Sequence, residues 1–326
     1  MGKKIGPLPD WPTWLEACRY VVLPDGKTQS SAHIRRMHWH VAGRLVMEGG
    51  LHPQYLKPRP PLKVRRFRKA SFLEYDQDVA NASESTVFGG LKTKAIDVTF
   101  TLPDIGPCIA VSMKATTKAL RNLTNRMEEA VGDCTNIHIA YPALVYAFLH
   151  VIRANRAGPP PESARDILDI DERTGELKPA DLALTRNGSP TPGLVAYHDA
   201  LARLSGRRDL RDDPSRYEAA TLFLVSPDDS SLGKIVDNYP ANDSPLRLGS
   251  FFQSIYNQYD LRFVYGAPSL RPKTRRHYWH PDSDAFGKLT SKDFEFRLAE
   301  EDVDPRDLID LLPISSAESG ETESSQ

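Results

Sequence analysis

Cysteine is scarce in this chain of 326 residues, which carries three cysteines and no CxxC pair. Their number is odd and their spacing wide, which excludes a cysteine-built zinc site and argues against a disulfide framework. Long apolar runs are also missing, and none reaches the length of a membrane span. The first residues, MGKKIGPLPDWP, lack the apolar region of a secretion signal. We therefore expect a cytoplasmic protein without a membrane segment.

Several catalytic signatures are absent as well. The chain has no GxxxxGK[ST] phosphate loop, no GxGxxG followed by a helix and no GxSxG elbow, which argues against ATP hydrolysis, dinucleotide binding and serine esterase chemistry. An excess of positive charge is also missing, because the net charge is −1. Any attraction to nucleic acid must therefore come from local basic patches. With 40% hydrophobic and 26% charged residues, the composition is that of an ordinary globular protein.

Hydrophobic periodicity and Gly/Pro positions predict a mixed α/β order. We divide the chain into an N-terminal helical region with a basic arm (1–70), an α/β core with a C-terminal elaboration (71–313) and a disordered acidic tail (314–326). The predicted elements are a helix over 33–47 ended by Gly49-Gly50, a basic loop over 57–69, a weakly helical segment over 71–88, strands over 93–102 and 108–114, a helix within 116–131 ended by Gly132, a buried strand over 143–152, a helix over 193–206, a strand over 218–229 and a helix over 246–264.

The stretch IDVTFTLPDIGPCIAVSMK, residues 96–114, reads as a hairpin with one apolar and one small or polar face. If the turn centres between positions 104 and 105, opposite residues sum to 209 and Asp97 faces Ser112. Lys114 then lies on the same side. An acid and a lysine beside a core face suit metal-assisted phosphodiester hydrolysis: the carboxylate binds a divalent ion, and the lysine positions water or offsets charge on phosphorus. The alternative is an ordinary salt bridge.

This pattern resembles the PD-(D/E)xK nuclease superfamily, although no proline precedes Asp97 and Ser112 stands where the usual acid would be. It is similar to the variant with S-x-K found in type II restriction enzymes that read CCGG-type sites, in which a glutamate fourteen positions after the lysine supplies the missing acid. Here that position holds Glu128. The resemblance implies a restriction-endonuclease-like fold, a mixed central sheet flanked by helices with N- and C-terminal additions. It implies a Mg²⁺-dependent endonuclease that cuts double-stranded DNA as a homodimer in restriction or phage defence, with Asp97, Ser112, Lys114 and Glu128 as catalytic positions.

The metal ligands implied by the resemblance are Asp97, Glu128 and a glutamate from the helix before the hairpin. Glu48 is the candidate for this last ligand, and Glu74 and Glu84 compete with it. A capping box from Asn125 to Glu128 at a late helix start would bring Glu128 to the site. The apolar stripe that begins at Leu120 favours an earlier start, which would place Glu128 ~16 Å along the helix.

Basic segments supply the predicted DNA contacts, because seven of the thirteen residues over 57–69 are Lys or Arg and the segment 271–282 combines basic and aromatic residues. A solvated linker and ordinary loop residues are the alternatives. The histidines His38 and His40 are two positions apart on different helix faces, so we expect core or surface histidines rather than a zinc pair. The predicted DNA-binding residues are Lys118, Arg121, Arg126, Arg65, Arg66, Arg68, Arg275 and Arg276.

Two rival functions stay open on the sequence. One is a catalytically silent DNA-binding module of the same fold, which would need no metal. The other is a protein that does not bind nucleic acid and whose Asp97–Lys114 pair is structural. The near-zero net charge favours the second rival.

Overall fold

A five-stranded mixed sheet flanked by helices forms the centre of the molecule, so the expected mixed α/β fold is confirmed. The computed structural model describes residues 12–23, 33–120, 123–160, 168–288 and 293–299. The strands are β1 (Leu56–Lys57), β2 (Leu62–Phe67), β3 (Ala70–Tyr75), β4 (Ser85–Phe88), β5 (Thr93–Ile96), β6 (Val98–Leu102), β7 (Gly106–Thr116), β8 (Val145–Arg153) and β9 (Ala219–Val225). Among these residues, no helix has the length and apolarity needed to cross a membrane.

Helices cover both faces of the sheet. They are α1 (Trp14–Val22), α2 (Arg35–Met47), α3 (Leu123–Ala140), α4 (Pro192–Arg203), α5 (Leu248–Tyr259), which continues as one π-helical turn over Asp260–Tyr265, α6 (Arg271–Thr274) and α7 (Asp284–Lys288). Two hydrophobic cores lie on the two faces of the sheet. The first core lies between the sheet and the helices α1, α2 and α5. The second core lies between the sheet and the helices α3 and α4. Strand β8 is buried at every residue, as expected for a parallel central strand covered on both faces.

The sheet order is β1-β6-β7-β8-β9. Strands β6 and β7 form the predicted antiparallel hairpin, and Val98 lies opposite Val111 as the sum of 209 requires. A register shift between Phe100 and Thr101 changes the pairing only near the turn. The chain then crosses through α3 to β8, which is parallel to β7, and β9 is parallel to β8. The hairpin and the parallel pair therefore share β7.

Other predicted elements were displaced. The helix after β7 was expected to end at Gly132, but α3 continues through this glycine to Ala140. Burial of Cys134 and Ile137 in the second core outweighs the ~1 kcal/mol cost of an interior glycine. The segment 71–88 was expected to be weakly helical and instead contains β3 and β4.

The basic segment over 57–69 is also more ordered than expected. It forms β2, which pairs with β3 in a hairpin that buries Leu62 against the first core. This hairpin crosses position 70, so the chain passes from the proposed N-terminal region into the core without a break in secondary structure. The proposed tail, 314–326, lies outside the described residues.

A buried ion cluster ties α3, β9 and the π-helical turn together. The Glu218 carboxylate, fully buried, is 2.7 Å from both Arg207 Nη1 and Arg262 Nη1, and it lies 3.4 Å from His138 Nε2. It also accepts a hydrogen bond from the Tyr146 N–H over 2.7 Å. Burial alone would raise the pKa of Glu218, but hydrogen bonding and positive charge from these partners outweigh it, so its pKa is lowered.

We predict that Glu218→Gln lowers the free energy of unfolding by about 3–5 kcal/mol, because two arginines are left buried without a counter-charge. Urea denaturation measures the difference. The matched control is Glu176→Gln, whose partner Arg186 has a 74% exposed side chain, and which should cost less than about 1 kcal/mol. Equal losses in the two variants would contradict the structural role of the cluster.

A second stability prediction concerns His150, which lies on β8 with 1% exposure. Burial, followed by the positive charges of Arg126 and Lys114, lowers its pKa to about 3. The unfolded state, with a pKa of about 6.5, therefore binds the proton first, and stability falls as the pH drops below this value. Between about pH 7 and about pH 5, the variant His150→Asn should lose ~2 kcal/mol less unfolding free energy than wild type. Identical pH dependence in urea titrations would refute this assignment.

Candidate active site

Asp97 lies between β5 and β6, at the point where backbone pairing of β6 with β7 begins. Its Oδ2 accepts a hydrogen bond from the backbone N–H of Met113 over 2.6 Å. Strand β7 extends past the residue at which β6 starts. There the Asp97 side chain, instead of a β6 carbonyl, accepts the backbone hydrogen bond of β7. The bond fixes the carboxylate against the middle of β7, next to the strand positions of Ser112 and Lys114.

Two further side chains converge on this carboxylate. Nε2 of His38, from α2, is 3.5 Å from Asp97 Oδ1, and Nδ1 of His38 is 4.0 Å from Oε1 of Glu84, which immediately precedes β4. One ligand atom from each of the three residues lies within 4.8 Å of the others. Two carboxylates and one imidazole are suitable donors for a divalent cation.

The environment of the three residues supports cation binding. His38 is 1% exposed, and its buried Nε2 has no hydrogen-bond partner among the described residues. Burial lowers the pKa of His38 to about 4, so the imidazole is neutral at pH 7 and a ring nitrogen keeps its lone pair. The residues therefore fit a metal ion, whose positive charge would offset the partly buried Asp97 carboxylate.

Burial raises the pKa of Asp97 to about 6, while the Met113 N–H and the positive charges of Lys114 and Lys94 oppose the shift. The lysine charges therefore act on the carboxylate from the α3 side. Lys114 Nζ donates a hydrogen bond to Glu129 Oε1 over 2.9 Å, and Lys94 Nζ lies 3.6 Å from the same oxygen. Lys94 also pairs with Asp133 on α3.

The helical acid next to the lysine is Glu129 and not the expected Glu128, which is exposed on α3. One residue along a helix rotates a side chain by about 100°, so only one of two adjacent glutamates faces the strand. Burial alone would raise the pKa of Glu129, but its hydrogen bond with Lys114 and the charges of both lysines outweigh it and lower the pKa. Glu129 therefore orients Lys114.

Ser112 is buried, and its Oγ hydrogen-bonds with Oη of Tyr146 on β8 over 2.8 Å. The hydroxyl thus packs into the second core beside β8. Ser112 follows Val111, the partner of Val98 at the start of β6, and it is not one of the three clustered ligands.

Glu48 is not at the cluster, so the expectation that it joins the metal ligands is corrected. Its carboxylate accepts hydrogen bonds from Arg44 over 2.6 and 3.1 Å and from the Tyr256 hydroxyl over 3.0 Å. Ten residues separate it from His38, which is ~15 Å along a helix. The helix before the hairpin contributes His38 instead, and Glu84 supplies the second carboxylate. The third candidate, Glu74, pairs with Arg65 and Lys63.

Four of the predicted DNA-binding residues form ion pairs within the protein or are partly buried. Lys118 Nζ pairs with Asp169 at 2.9 Å, and Arg65 pairs with Glu74. Arg276 pairs with Asp260 at 2.7 Å, and its side chain is only 9% exposed. Arg126 is half-buried on α3, where burial lowers its pKa, while Tyr197 and Glu129 oppose the shift. Desolvated or paired guanidinium groups have less to offer a phosphate backbone.

Three predicted DNA-binding residues, Arg66, Arg68 and Arg275, are exposed. Arg66 and Arg68 lie at the tip of the β2–β3 hairpin, where Arg68 turns the chain with φ of 54°. Its guanidinium lies 5.4 Å from the ring of Phe67, which is itself 56% exposed. Arg121 lies outside the described residues.

Sequence reasoning missed His38 as a ligand, although the helical pattern contained a signal. His38, Val41, Ala42 and Leu45 follow the i, i+3, i+4, i+7 spacing of a buried stripe. A polar residue within such a stripe needs a buried partner, and here the partner comes from the hairpin.

Comparisons with known proteins give no relative to set beside this geometry. No family model, no curated protein and no solved structure matches the chain significantly.

We predict that Mn²⁺ raises the melting temperature by a few degrees, because a ligand at 100 times its Kd stabilises a fold by about 2.7 kcal/mol. Glu84→Gln should abolish the shift, since it removes one of the clustered carboxylates. The matched control Glu74→Gln changes a surface carboxylate and should keep it. Thermal unfolding with and without metal measures both, and a full shift in Glu84→Gln would disprove the assigned ligand set.

Proposed function

We propose that this protein is a divalent-metal-dependent endonuclease that hydrolyses phosphodiester bonds in double-stranded DNA. One observation carries the proposal: His38 lies between the carboxylates of Asp97 and Glu84, at 3.5 and 4.0 Å, and Lys114 follows the residue of β7 whose N–H holds Asp97. Metal ligands next to a lysine amine can bind a divalent ion and also stabilise the charge that develops on phosphorus, which suits metal-assisted phosphodiester hydrolysis.

Each residue has a separate role in the proposed reaction. A bound divalent ion polarises the phosphate and lowers the pKa of a bound water. Asp97, Glu84 and His38 would hold that ion, and the Met113 N–H keeps the Asp97 carboxylate in place. The Lys114 amine would hydrogen-bond the attacking water or offset the charge that develops on phosphorus. Glu129 would position this amine through its hydrogen bond.

The resemblance to restriction-endonuclease-like nucleases supports the same reaction, with two changes. The helical acid is Glu129, one residue beyond the expected position, and an imidazole joins the ligands. Because an imidazole suits Mn²⁺ better than Mg²⁺, we propose that both ions serve and that Mn²⁺ binds more tightly. A role in restriction or phage defence, and action as a homodimer that cuts both strands, belong to the same proposal.

The β2–β3 hairpin is the proposed DNA-contacting arm. Two-stranded ribbons fit the major groove of DNA, and this one ends in Arg66, Phe67 and Arg68. The exposed Arg68 guanidinium would contact a phosphate, while the exposed Phe67 ring offers a surface for a base or sugar. This assignment replaces the broader basic surface expected from the sequence.

The deciding experiment is cleavage of mixed plasmid and phage DNA, methylated and unmethylated, with Mg²⁺, Mn²⁺ or EDTA. We expect discrete metal-dependent cutting, reduced by about 100-fold or more in Lys114→Ala because the amine acts on the developing charge. The control Lys178→Ala removes an exposed lysine elsewhere and should cut normally. Salt-sensitive DNA binding without cutting on any substrate would indicate a silent binding module, and no binding would indicate a structural Asp97–Lys114 pair.

A further inference from the structure

A second site lies at the turn end of the β6–β7 hairpin, on the side of the sheet covered by α2 and α5. It is a pocket of about 320 Å³, within the size range of small-molecule sites. Its walls come from the chain that follows α2, from β2, from the hairpin turn, from the end of α5, and from α6 and the residues after it. The residues that matter most here are Gly50, His52, Tyr55, Arg66, Arg275 and His277.

The pocket carries excess positive charge. Arg66, Arg275 and Lys273 line it together with a single carboxylate, Asp104, which pairs with Lys273 at 3.2 Å. Across the described ranges, neither Arg66 nor Arg275 has an ion-pair or hydrogen-bond partner for its guanidinium. Burial, then the charges of His52, Arg66 and Arg275, lower the pKa of His277 to about 4. The guanidinium groups of Arg66 and Arg275 therefore make the electrostatic potential of this pocket positive.

Aromatic rings form the rest of the wall. The His52 ring lies 5.2 Å from the Tyr55 ring and 5.7 Å from the His277 ring, which stacks on Trp279 at 5.1 Å. Nδ1 of His52 accepts a hydrogen bond from the Gln54 N–H, so the neutral ring carries its proton on Nε2. The pocket therefore combines flat rings with a ring N–H donor and two free guanidinium groups.

The floor of the pocket is rigid. The carbonyl of Gly50 accepts a hydrogen bond from the His277 N–H over 2.7 Å. Gly50 has φ of 69°, and a Cβ there would lie 2.2 Å from the His277 carbonyl oxygen. Only glycine allows this close approach of two backbones, so the geometry that places His277 beside His52 is built into the fold.

This pocket is distinct from the candidate active site. Its strand residues Phe100 and Leu102 lie three and five positions beyond Asp97 along the hairpin. At about 3.3 Å per residue, that is about 10–17 Å from the metal cluster. A ligand here would therefore contact none of the three clustered metal ligands.

We propose that this pocket binds the phosphate of a nucleotide between Arg66 and Arg275, with the base against the rings of His52 and Tyr55. Paired guanidinium groups suit a phosphate monoester, and aromatic rings stack on bases of any sequence. The same chemistry is offered by a free mononucleotide and by the 5′-phosphate end of a nucleic acid strand. The proposal goes beyond the proposed nuclease activity and does not require it.

Isothermal titration calorimetry of the full chain in EDTA tests the site with adenosine 5′-monophosphate, adenosine, and short oligonucleotides with and without a 5′-phosphate. The double variant Arg66→Ala/Arg275→Ala should weaken binding of the phosphorylated probe by roughly tenfold for each guanidinium removed. The control Arg203→Ala/Arg211→Ala removes two exposed arginines elsewhere, with the same change in net charge, and should bind like wild type.

Binding of the mononucleotide identifies a free nucleotide as the ligand, and binding of the phosphorylated oligonucleotide alone identifies a strand end. Adenosine binding as tightly as its monophosphate, unchanged affinity in the double variant, or no binding of any probe would each overturn the proposal. Lys114→Ala should bind the probe like wild type, so failure of the nuclease proposal and failure of this one give different results.

Discussion

The hydrogen bond from the Met113 N–H to the Asp97 carboxylate is the interaction on which the candidate site depends. Strand β6 begins only at Val98, so at this level of the sheet a side chain replaces the missing backbone acceptor. One carboxylate oxygen is held against β7, and the other faces His38 from the α2 side. On the same strand, Lys114 directly follows the residue that donates this bond. The bond thus holds Asp97 against β7, where its carboxylate meets His38 of α2 and Glu84, the residue before β4.

Burial then gives this cluster its electrostatic character. It raises the pKa of Asp97 and lowers the pKa of His38, so both groups tend toward their uncharged forms. Lys94 and Lys114 favour the ionised carboxylate, and acids on α3 hold both amines in position. The proposed cation would balance the remaining negative charge of Asp97 and Glu84.

Some arginines of the basic segments are paired with acids and have a structural role, whereas others are available for binding. Arg276 and Arg65 belong to the same basic segments as Arg275 and Arg66, yet each is neutralised by a nearby acid. The two unpaired guanidinium groups meet at the pocket formed by the other end of the hairpin. The two sites thus lie at opposite ends of the β6–β7 hairpin. The cluster of acids and histidine lies where β6 starts, and the basic and aromatic pocket lies at the turn.

Local pattern was sufficient to predict the hairpin, its register at Val98 and Val111, the buried strand β8 and the helix after β7, because alternation and turn residues act over short distances. It failed for Glu128, because the phase of α3 turns the neighbouring Glu129 toward Lys114. It also failed for Glu48, since ten residues of helix separate this acid from the site. The choice of His38 and Glu84 depends on how α2 and the β4–β5 hairpin pack against the sheet, and contacts so distant along the chain leave no local periodicity to read.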